Sequence, residues 1–494
     1  MANDPFYYDV LQNDKYGRYL VTNKDFSSGE LIFTDTPFAV GPKPGNPPLC
    51  LGCYCPVEST LCSSCGWPAC SAECETSPQH AGECAVFIAA RVRFQSVDDW
   101  TASTPQLDCI TPLRLLLAKE KDLARWKREL EPMEAHTEAR KQRLTWAADQ
   151  VNVADFLVDH CRLRDRFDKE LVQRVCGILE VNSVEVPSRA GFSIRAIYPR
   201  LAIAAHNCVP NIVHSILQND YQVQVRAAVP LKSGDPLHLC YTHALSPTIL
   251  RRKFLLESKF FDCECARCAD PTELGTHLST LKCSKCDNGF LFFLIPLSDN
   301  EAQWKCSDRN CEFLTSGAAV CRMLGVVQAE LEQLDMLQPG PQAIERREAA
   351  LSKYKSVFHP RHSLLLTVKH SLGQLYGRVD GYNIDELPDL MLERKAQFCR
   401  LVLSTLDLIT PGESRMRGMM LYELHAPVLF LARNEYSIGL IDNEKLKERL
   451  QEPIRCLEEA ARILTREDPQ STEGITGLIA NQSVEQLRAS VEAL

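Results

Sequence analysis

Residues 50–84 read CLGCYCPVESTLCSSCGWPACSAECETSPQHAGEC, and this stretch decides how the N-terminal part of the chain can fold. It holds eight of the 23 cysteines and few large aliphatic side chains. A segment of this composition cannot bury enough apolar surface to fold alone. It therefore needs crosslinks, either bound metal or disulfides.

The N-terminus favours metal over disulfides. Residues 1–5 (Met-Ala-Asn-Asp-Pro) supply neither the basic nor the apolar region of a secretory signal. We therefore expect the protein in the cytoplasm and nucleus, where disulfides are rare. The 23 cysteines among 494 residues also lie below the ~8–10% typical of disulfide scaffolds. Clustered cysteines in this setting indicate metal binding.

The ligands of this stretch form four closely spaced pairs. Two cysteines separated by two residues share one tetrahedral Zn²⁺ through a tight turn, and a gap of three residues places two ligands on one face of a helical turn. Eight ligands make two closed sites, and the alternative is a cluster of buried or redox-active thiols. Cys55 is left over as a bystander. The pairs are Cys50/Cys53, Cys62/Cys65, Cys70/Cys74 and His80/Cys84.

Two further cysteine groups follow in the second half of the chain. Cys263-x-Cys265-x2-Cys268 supplies three ligands, so a fourth must come from elsewhere, and Cys208 is the candidate. The pairs Cys283-x2-Cys286 and Cys306-x4-Cys311 lie about twenty residues apart, which predicts a zinc ribbon at the tips of two hairpins. The alternative for this last group is free thiols.

Charge and hydropathy exclude two classes of partner. The chain carries 55 basic and 64 acidic side chains, a net charge of -9, whereas proteins that grip nucleic-acid phosphates usually carry a basic domain. We expect no direct nucleic-acid partner. The most apolar run, residues 290–297, is too short to span a membrane and contains Pro296.

Periodicity predicts strands at both ends of the first half and helices elsewhere. Helices are expected over about 112–180 and from about Ser316 to the C-terminus, where paired helices of the tetratricopeptide (TPR) type are plausible. The turn at 27–29 suggests that its two flanking strands pair. The predicted strands are Tyr19–Thr22, Leu31–Asp35, Phe192–Ile197, Ile212–Leu217, Tyr221–Ala228 and Pro236–Cys240.

Three separated motifs carry a resemblance. They are Tyr16-Gly17-Arg18-Tyr19-Leu20 with Ser28–Leu31, then Ala205-His206-Asn207-Cys208-Val209-Pro210-Asn211, then Gly234–Tyr241 followed by Phe261. In this order, with a cysteine-rich insertion after the first, the chain resembles the SET-and-MYND (SMYD) protein-lysine methyltransferases. The segments around His359-Pro360 and Pro411–Arg415 are similar to that family's C-terminal domain. The extra ribbon and divergent motifs look most like the arthropod-type branch.

The resemblance implies a mixed α+β fold. A β-rich SET core is split by a MYND zinc finger and a helical insert, and a zinc-bound post-SET region and an α-helical TPR-like domain follow. The implied boundaries are 1–48 and 191–245 for the SET core, 49–85 for the MYND finger, 86–190 for the insert, 246–272 for the post-SET site, 273–316 for the ribbon and 317–494 for the C-terminal domain.

The resemblance also implies how the zinc ligands pair. MYND fingers interleave two metals, so that the first and third ligand pairs share one Zn²⁺ and the second and fourth share the other. Cys50, Cys53, Cys70 and Cys74 then form one site, and Cys62, Cys65, His80 and Cys84 form the other. In the same family, Cys208 completes the post-SET site with Cys263, Cys265 and Cys268.

The implied cofactor is S-adenosylmethionine, and Tyr241 matches the family's catalytic tyrosine. Two of the positions that depart from the family pattern belong to its cofactor motifs: Tyr19 replaces a glycine and Ala205 replaces an asparagine. Losing one side-chain hydrogen bond at Ala205 costs about 0.5–1.5 kcal/mol, which weakens cofactor binding without abolishing it. The positions that match cofactor contacts are Gly17, Arg18, His136, Ala205, His206, Tyr241 and Phe261.

Two functions are compatible with these motifs. The first is protein-lysine N-methylation of histone or non-histone proteins with accessible lysines, in the context of chromatin regulation. In this reaction the enzyme aligns amine, methyl and sulfur, and polar oxygens stabilise the transferring methyl. The alternative is a catalytically weak or inactive adaptor or transcriptional regulator whose MYND finger binds proline-rich peptides.

Overall fold

The computed structural model describes residues 7–294, 297 and 303–494. The N-terminal residues 1–5 and Pro296, which entered the predictions above, lie outside the described residues. Within the described ranges the chain is a mixed α and β protein, as predicted.

In the part of the chain that the structure describes, fourteen strands form five small sheets rather than one continuous sheet. They are β1 (Tyr8–Asn13), β2 (Gly17–Thr22), β3 (Leu31–Asp35), β4 (Ala39–Gly41), β5 (Val184–Pro187), β6 (Ser193–Ile197), β7 (Ala205–His206), β8 (Ile212–Ile216), β9 (Val223–Ala227), β10 (His238–Leu239), β11 (Leu281–Lys282), β12 (Phe290–Phe293), β13 (Gln303–Cys306) and β14 (Leu314–Ser316).

Helices fill the insert between β4 and β5 and nearly all of the chain after β14. They are α1 (Ala72–Glu75), α2 (Pro78–Ala90), α3 (Ile110–Lys121), α4 (Leu123–Glu129), α5 (Thr137–Arg140), α6 (Leu144–Asp149), α7 (Lys169–Asn182), α8 (Thr248–Ser258), α9 (Ala266–Ala269), α10 (Gly317–Asp335), α11 (Pro341–Tyr354), α12 (Ser363–Leu375), α13 (Asp389–Ile409), α14 (Arg415–Ser437), α15 (Asn443–Leu464) and α16 (Thr472–Glu492). A π-helix spans Gln150–His160, and short 3₁₀ turns span Pro105–Cys109 and Leu201–Ile203.

The predicted pairing of Tyr19–Thr22 with Leu31–Asp35 is wrong. β2 pairs antiparallel with β1, and β3 pairs with β9, almost 200 residues later. The local hairpin forms because Gly17, at φ 64°, supplies the left-handed conformation that closes its turn. Gly29-Glu30 instead starts a strand whose partner is distant in sequence.

The framework of the N-terminal half consists of two three-stranded sheets. One pairs β6 with β4 and β5, and the other pairs β9 with β3 and β8. β7 and β10 are short and parallel, with His238 opposite Ala205 and Leu239 opposite His206. The predicted strand at 236–240 is therefore reduced to two residues, since Pro236 cannot donate to the ladder. This parallel pair sets the Ala205–Asn207 segment beside the residues that lead to Tyr241.

One hydrophobic core joins the N-terminal sheets, the first cysteine-rich segment and the helical insert. Trp67 of the cysteine-rich segment stacks on Phe87 with ring centroids 4.0 Å apart. A second core lies among α13–α16, and a third joins the ribbon strands to α10–α12. The cysteine-rich segment thus acquires its core from its neighbours.

The model contains, in its described ranges, no helix whose length and apolarity would suffice to cross a membrane.

Candidate functional site

Four groups of cysteines, one of them with a histidine, lie close enough together to hold a metal ion. In each group the ligand atoms lie within 4.8 Å of one another, and every cysteine of the chain is a free thiol. These groups bring together the ligand sets predicted from the sequence. They are Cys50/Cys53/Cys70/Cys74, Cys62/Cys65/His80/Cys84, Cys208/Cys263/Cys265/Cys268 and Cys283/Cys286/Cys306/Cys311.

The sulfur separations suit zinc. Four sulfurs placed ~2.3 Å from a tetrahedral centre are about 3.8 Å apart, whereas a disulfide requires about 2.05 Å. The Sγ atoms of Cys53 and Cys70 lie 3.5 Å apart, those of Cys208 and Cys263 lie 3.9 Å apart, and Cys286 Sγ lies 3.6 Å from Cys306 Sγ. The donor sets and their spacing therefore fit Zn²⁺.

The histidine of the second group is oriented by a buried carboxylate. His80 Nε2 faces Cys65 Sγ at 3.3 Å, while Glu83 Oε1 lies 3.5 Å from His80 Nδ1. Arg114 from α3 donates to the same Glu83 carboxylate and to the carbonyl of Leu51. A carboxylate behind a ligating histidine fixes its orientation. Arg114 also ties this segment to the helical insert.

The group around Cys208 is surrounded by charges that sequence reasoning missed. Arg251 donates from Nε to Cys208 Sγ at 3.3 Å and from Nη2 to Cys268 Sγ at 3.5 Å. Glu273 accepts from Arg251 and from Arg267, at 2.7 and 2.9 Å, and all three side chains are fully buried. Two arginines against one carboxylate balance part of the negative charge of a four-thiolate site. Because the spacing of Arg251, Arg267 and Glu273 in the sequence matches no known motif, only the folded structure shows that they meet.

A cavity of about 1660 Å³ lies between the β1–β2 turn, the helical insert and the segment after α8. Drug-sized ligands usually occupy pockets of about 300–1,000 Å³, so this cavity is larger than one such ligand requires. All seven residues predicted to contact the cofactor line it, although they come from five separate segments. They are Gly17, Arg18, His136, Ala205, His206, Tyr241 and Phe261.

The β1–β2 turn lines one side of the cavity. A Cβ added at Gly17 would meet no atom within 4 Å, so this glycine is required by its positive φ rather than by close packing. Arg18 donates to the carbonyl of Pro132 at 3.1 Å, which ties the turn to the insert. Tyr19 does not line the cavity; its ring packs 5.5 Å from that of Tyr16. The side chain at this divergent position therefore leaves the cavity open.

His136 enters the cavity from the insert in a left-handed conformation, with φ 43°. Its ring stacks on Phe260 at 4.6 Å, and the guanidinium of Arg143 lies 3.9 Å from the centre of the same Phe260 ring. Burial lowers the pKa of His136. A neutral imidazole held against an aromatic ring is suited to contact an uncharged ligand group.

His206 links the cavity to the Cys208 group. Its Nδ1 accepts from the Tyr241 amide at 3.0 Å, which leaves Nε2 as the donor that faces Cys208 Sγ at 3.3 Å. Both ring nitrogens are thus engaged by the protein, and His206 can contact a ligand only through its backbone or ring face. Ala205 lies beside it, buried, with no side-chain hydrogen-bonding group.

Tyr241 places a hydroxyl at the cavity wall. The hydroxyl donates to the Ala204 carbonyl at 2.5 Å, so its oxygen lone pairs remain for the cavity. Burial raises the pKa of Tyr241, and the group stays a neutral phenol. Phe261 packs beside the Cys208 group and lies 5.8 Å from the His206 ring, ring centre to ring centre.

Several charged residues that line the cavity were not singled out from the sequence, and Arg195 and Lys259 are two basic ones among them. Arg195 on β6 is buried, and its Nε finds no hydrogen-bond partner in the described part of the chain. Lys259 follows α8 and donates from Nζ to the Val181 carbonyl at 2.6 Å. The sequence does not indicate that an isolated basic residue in a strand or after a helix will line a cavity.

The fold and site define a mixed α and β protein with cysteine clusters suited to zinc beside one large cavity. Comparison with known proteins extends this description. The chain is 30% identical over 301 residues to the SET domain-containing protein SmydA-8, isoform A, of Drosophila melanogaster, covering 59% of this chain and 62% of that protein. It is 24% identical over 431 residues to the histone-lysine N-methyltransferase ASHR1 of Arabidopsis thaliana, covering 82% and 83%.

A third relative is the histone-lysine N-methyltransferase SMYD3 of Mus musculus, 26% identical over 262 residues, which cover 49% of this chain and 56% of that protein. The chain spans less than two thirds of the length of the two matched Drosophila isoforms. No family model matches the chain. The chain is nevertheless a homologue of several SET and MYND domain-containing (SMYD) proteins, and the resemblance predicted from its motifs is confirmed.

Proposed function

We propose that this protein is an S-adenosylmethionine-dependent protein-lysine N-methyltransferase. The observation that carries the proposal is the convergence of seven motif residues from five segments on one cavity. A shared cavity is required if these residues contact one ligand, whereas motifs with unrelated structural roles have no reason to meet. Several relatives are named as histone-lysine or N-lysine methyltransferases, which supports the same reaction.

The domain assignments are part of this proposal. The strands of 7–48 and 191–245 would form a SET core, with a MYND finger at 49–85 and a post-SET zinc site around Cys208 and Cys263. The four-cysteine group at 283–311 would be a ribbon. Proteins with accessible lysines are the proposed substrates, and proline-rich peptides are the proposed ligands of the finger.

The cofactor would supply an electrophilic methyl group on a sulfonium sulfur. The β1–β2 turn at Gly17 and the backbone at Ala205 would hold its polar groups, and Phe261 would pack on its adenine. The Tyr241 hydroxyl, fixed by its bond to Ala204, would direct oxygen lone pairs toward the transferring methyl. Such preorganised oxygen contacts stabilise the developing charge without reorganisation in the transition state.

The test pairs cofactor binding with methyl transfer. Calorimetry measures S-adenosylmethionine binding, and radiolabelled methyl transfer is followed in a lysine-rich extract. Tyr241→Phe should lower turnover by about 10²–10³ while leaving cofactor affinity nearly unchanged, because the hydroxyl acts mainly in the transition state.

Tyr198→Phe is the matched control. Tyr198 also donates its hydroxyl to a backbone carbonyl, that of Tyr221 at 2.6 Å, but it is fully buried and does not line the cavity. This variant should keep full activity. Wild-type protein that binds no cofactor at millimolar concentration would overturn the enzyme proposal and leave the adaptor hypothesis in its place.

A further inference from the structure

Lys259 is a half-buried lysine that lines the same cavity as Tyr241. It follows α8, and its Nζ lies 5.9 Å from the centre of the Tyr241 ring. The carbonyl of Val181, which also lines the cavity, accepts from Nζ at 2.6 Å. A backbone carbonyl thus holds the amine in the cavity whose wall also carries the Tyr241 ring.

The surroundings of Lys259 favour an uncharged amine. Burial lowers its pKa to about 8, against a smaller opposing effect from Glu180. Roughly a tenth of such an amine is neutral near pH 7, compared with fewer than about one in a thousand for an ordinary lysine. Only the neutral form has the lone pair that attacks a methyl group. A lysine needed only as a structural cation would gain from an acidic partner, but the described hydrogen bond goes to a carbonyl.

We propose that Lys259 is a self-methylation site, whose ε-amine accepts a methyl group from S-adenosylmethionine in an intramolecular reaction. The inference rests on the function proposed above. The Nζ lone pair forms the N–C bond as the S–C bond breaks, and the sulfonium becomes the neutral thioether of S-adenosylhomocysteine. The resulting methylammonium releases its proton to water. The Val181 carbonyl orients the amine by accepting one N–H.

The experiment maps methylation on the full-length protein by peptide mass spectrometry after incubation with S-adenosylmethionine. Wild-type protein should gain one methyl mass or more on the peptide that contains Lys259. The fraction modified at a given time should not change when the protein is diluted, because the transfer is intramolecular. Tyr241→Phe should lose the modification, and Tyr198→Phe should keep it.

Two lysine variants separate the site from its neighbours. Lys259→Arg should remove the self-methylation signal, whereas Lys253→Arg should leave it unchanged, since Lys253 is exposed on α8 and pairs with Glu257. Self-labelling that persists in Lys259→Arg, or that falls on dilution, would overturn the inference.

The same incubations distinguish this inference from the proposed function. Methylated extract proteins together with unmodified Lys259 would reject self-methylation and retain the lysine methyltransferase. If neither the extract proteins nor Lys259 are methylated and the protein binds no cofactor, both the proposed function and the inference are rejected.

Discussion

Glu273 is a buried carboxylate that compensates the charge of two buried arginines. Its carboxylate lies between Arg251 and Arg267 and also accepts from the Thr248 amide at 3.1 Å and from the Ser279 hydroxyl. Arg251 in turn donates to Cys208 Sγ. This single carboxylate therefore supports the arginines that border the third metal-binding group.

We expect Glu273→Gln to destabilise the protein by about 3–5 kcal/mol, because it leaves two buried guanidinium groups without their counter-charge. The amide has nearly the same shape, so packing is kept. Chemical denaturation followed by circular dichroism measures the change. The control is Glu257→Gln, which removes an exposed carboxylate 3.9 Å from Lys253 and should change stability by less than about 1 kcal/mol. Equal effects of the two substitutions would contradict the assignment.

The lowered pKa of Glu273 predicts how the stability of the protein depends on pH. The two arginines outweigh burial and lower the pKa of Glu273 from 4.5 to about 2. The folded state thus favours the ionised form, so the stabilisation is complete above the unfolded pKa of ~4.3 and is lost as pH falls toward 2. Titrating the unfolding free energy of wild type and Glu273→Gln should show their difference shrinking over this range. A difference in unfolding free energy that stays constant from pH 6 to about pH 2 would contradict this role of Glu273.

Ala205 offers a gain-of-affinity test at the cavity. It is buried on β7, opposite His238, and its side chain contributes no hydrogen bond. Ala205→Asn should tighten S-adenosylmethionine binding by roughly three- to tenfold, the effect of one recovered hydrogen bond of about 0.5–1.5 kcal/mol. Calorimetric titration measures it, with Ala204→Asn as the comparison for mere side-chain size. Unchanged or weaker binding in Ala205→Asn would show that this position does not face the cofactor's polar groups.

At the scale of elements, the loop between α13 and α14 joins the C-terminal helices to the N-terminal sheets. The Glu413 amide donates to the Ala228 carbonyl at 3.0 Å, and the Ser28 hydroxyl donates to the Glu413 carboxylate at 3.1 Å. Arg466 also reaches that carboxylate, at 2.6 Å. Gly412 makes this approach possible, because a Cβ there would lie 1.9 Å from the Ala228 carbonyl oxygen.

Gly412→Ala should therefore cost more than its backbone strain alone. Gly412 and Gly381 both have φ 78°, but a Cβ at Gly381 would meet open space. Gly381→Ala isolates the strain of the left-handed conformation, about 1–2 kcal/mol, and the clash at Gly412 should add about 1–3 kcal/mol. Denaturation midpoints of both variants measure the difference. Equal midpoints would mean that the loop does not dock on the Ala228 segment.

At the scale of the whole molecule, bound metal would crosslink the cysteine-rich segments of the chain. Four clusters, built from fifteen cysteines and one histidine, are distributed from residue 50 to residue 311. All four use ligands from separate stretches of chain, so each metal would act as a crosslink between them. Proteins built in this way couple metal binding to folding.

We expect four Zn²⁺ per chain in elemental analysis of the folded protein, and chelation should lower its thermal stability. Cys283→Ser with Cys286→Ser should reduce the content to three, because it removes half of the ribbon ligands. Cys109→Ser is the control, since this buried cysteine belongs to none of the four clusters. Three equivalents in the wild-type protein would remove only the ribbon, and two or fewer would reject the cluster assignments.

The sequence by itself determined the ligand types, their groupings and the resemblance to SET and MYND domain-containing proteins. Metal ligands and motif residues are specified by residue type and spacing, and both can be read from the sequence. It also indicated the mixed fold and most strands. The sequence did not determine which strands pair. The turn at 27–29 suggested a local hairpin, but β3 pairs with β9, which is distant in the sequence.

Only the tertiary structure decided how the cavity is built. Gly17, His136 and Tyr241 meet there from distant segments, and Lys259 joins them from the end of a helix. The Arg251–Glu273–Arg267 cluster is likewise a property of the packed molecule. Burial and charge compensation depend on what surrounds a side chain in three dimensions, and the linear order of residues does not state it.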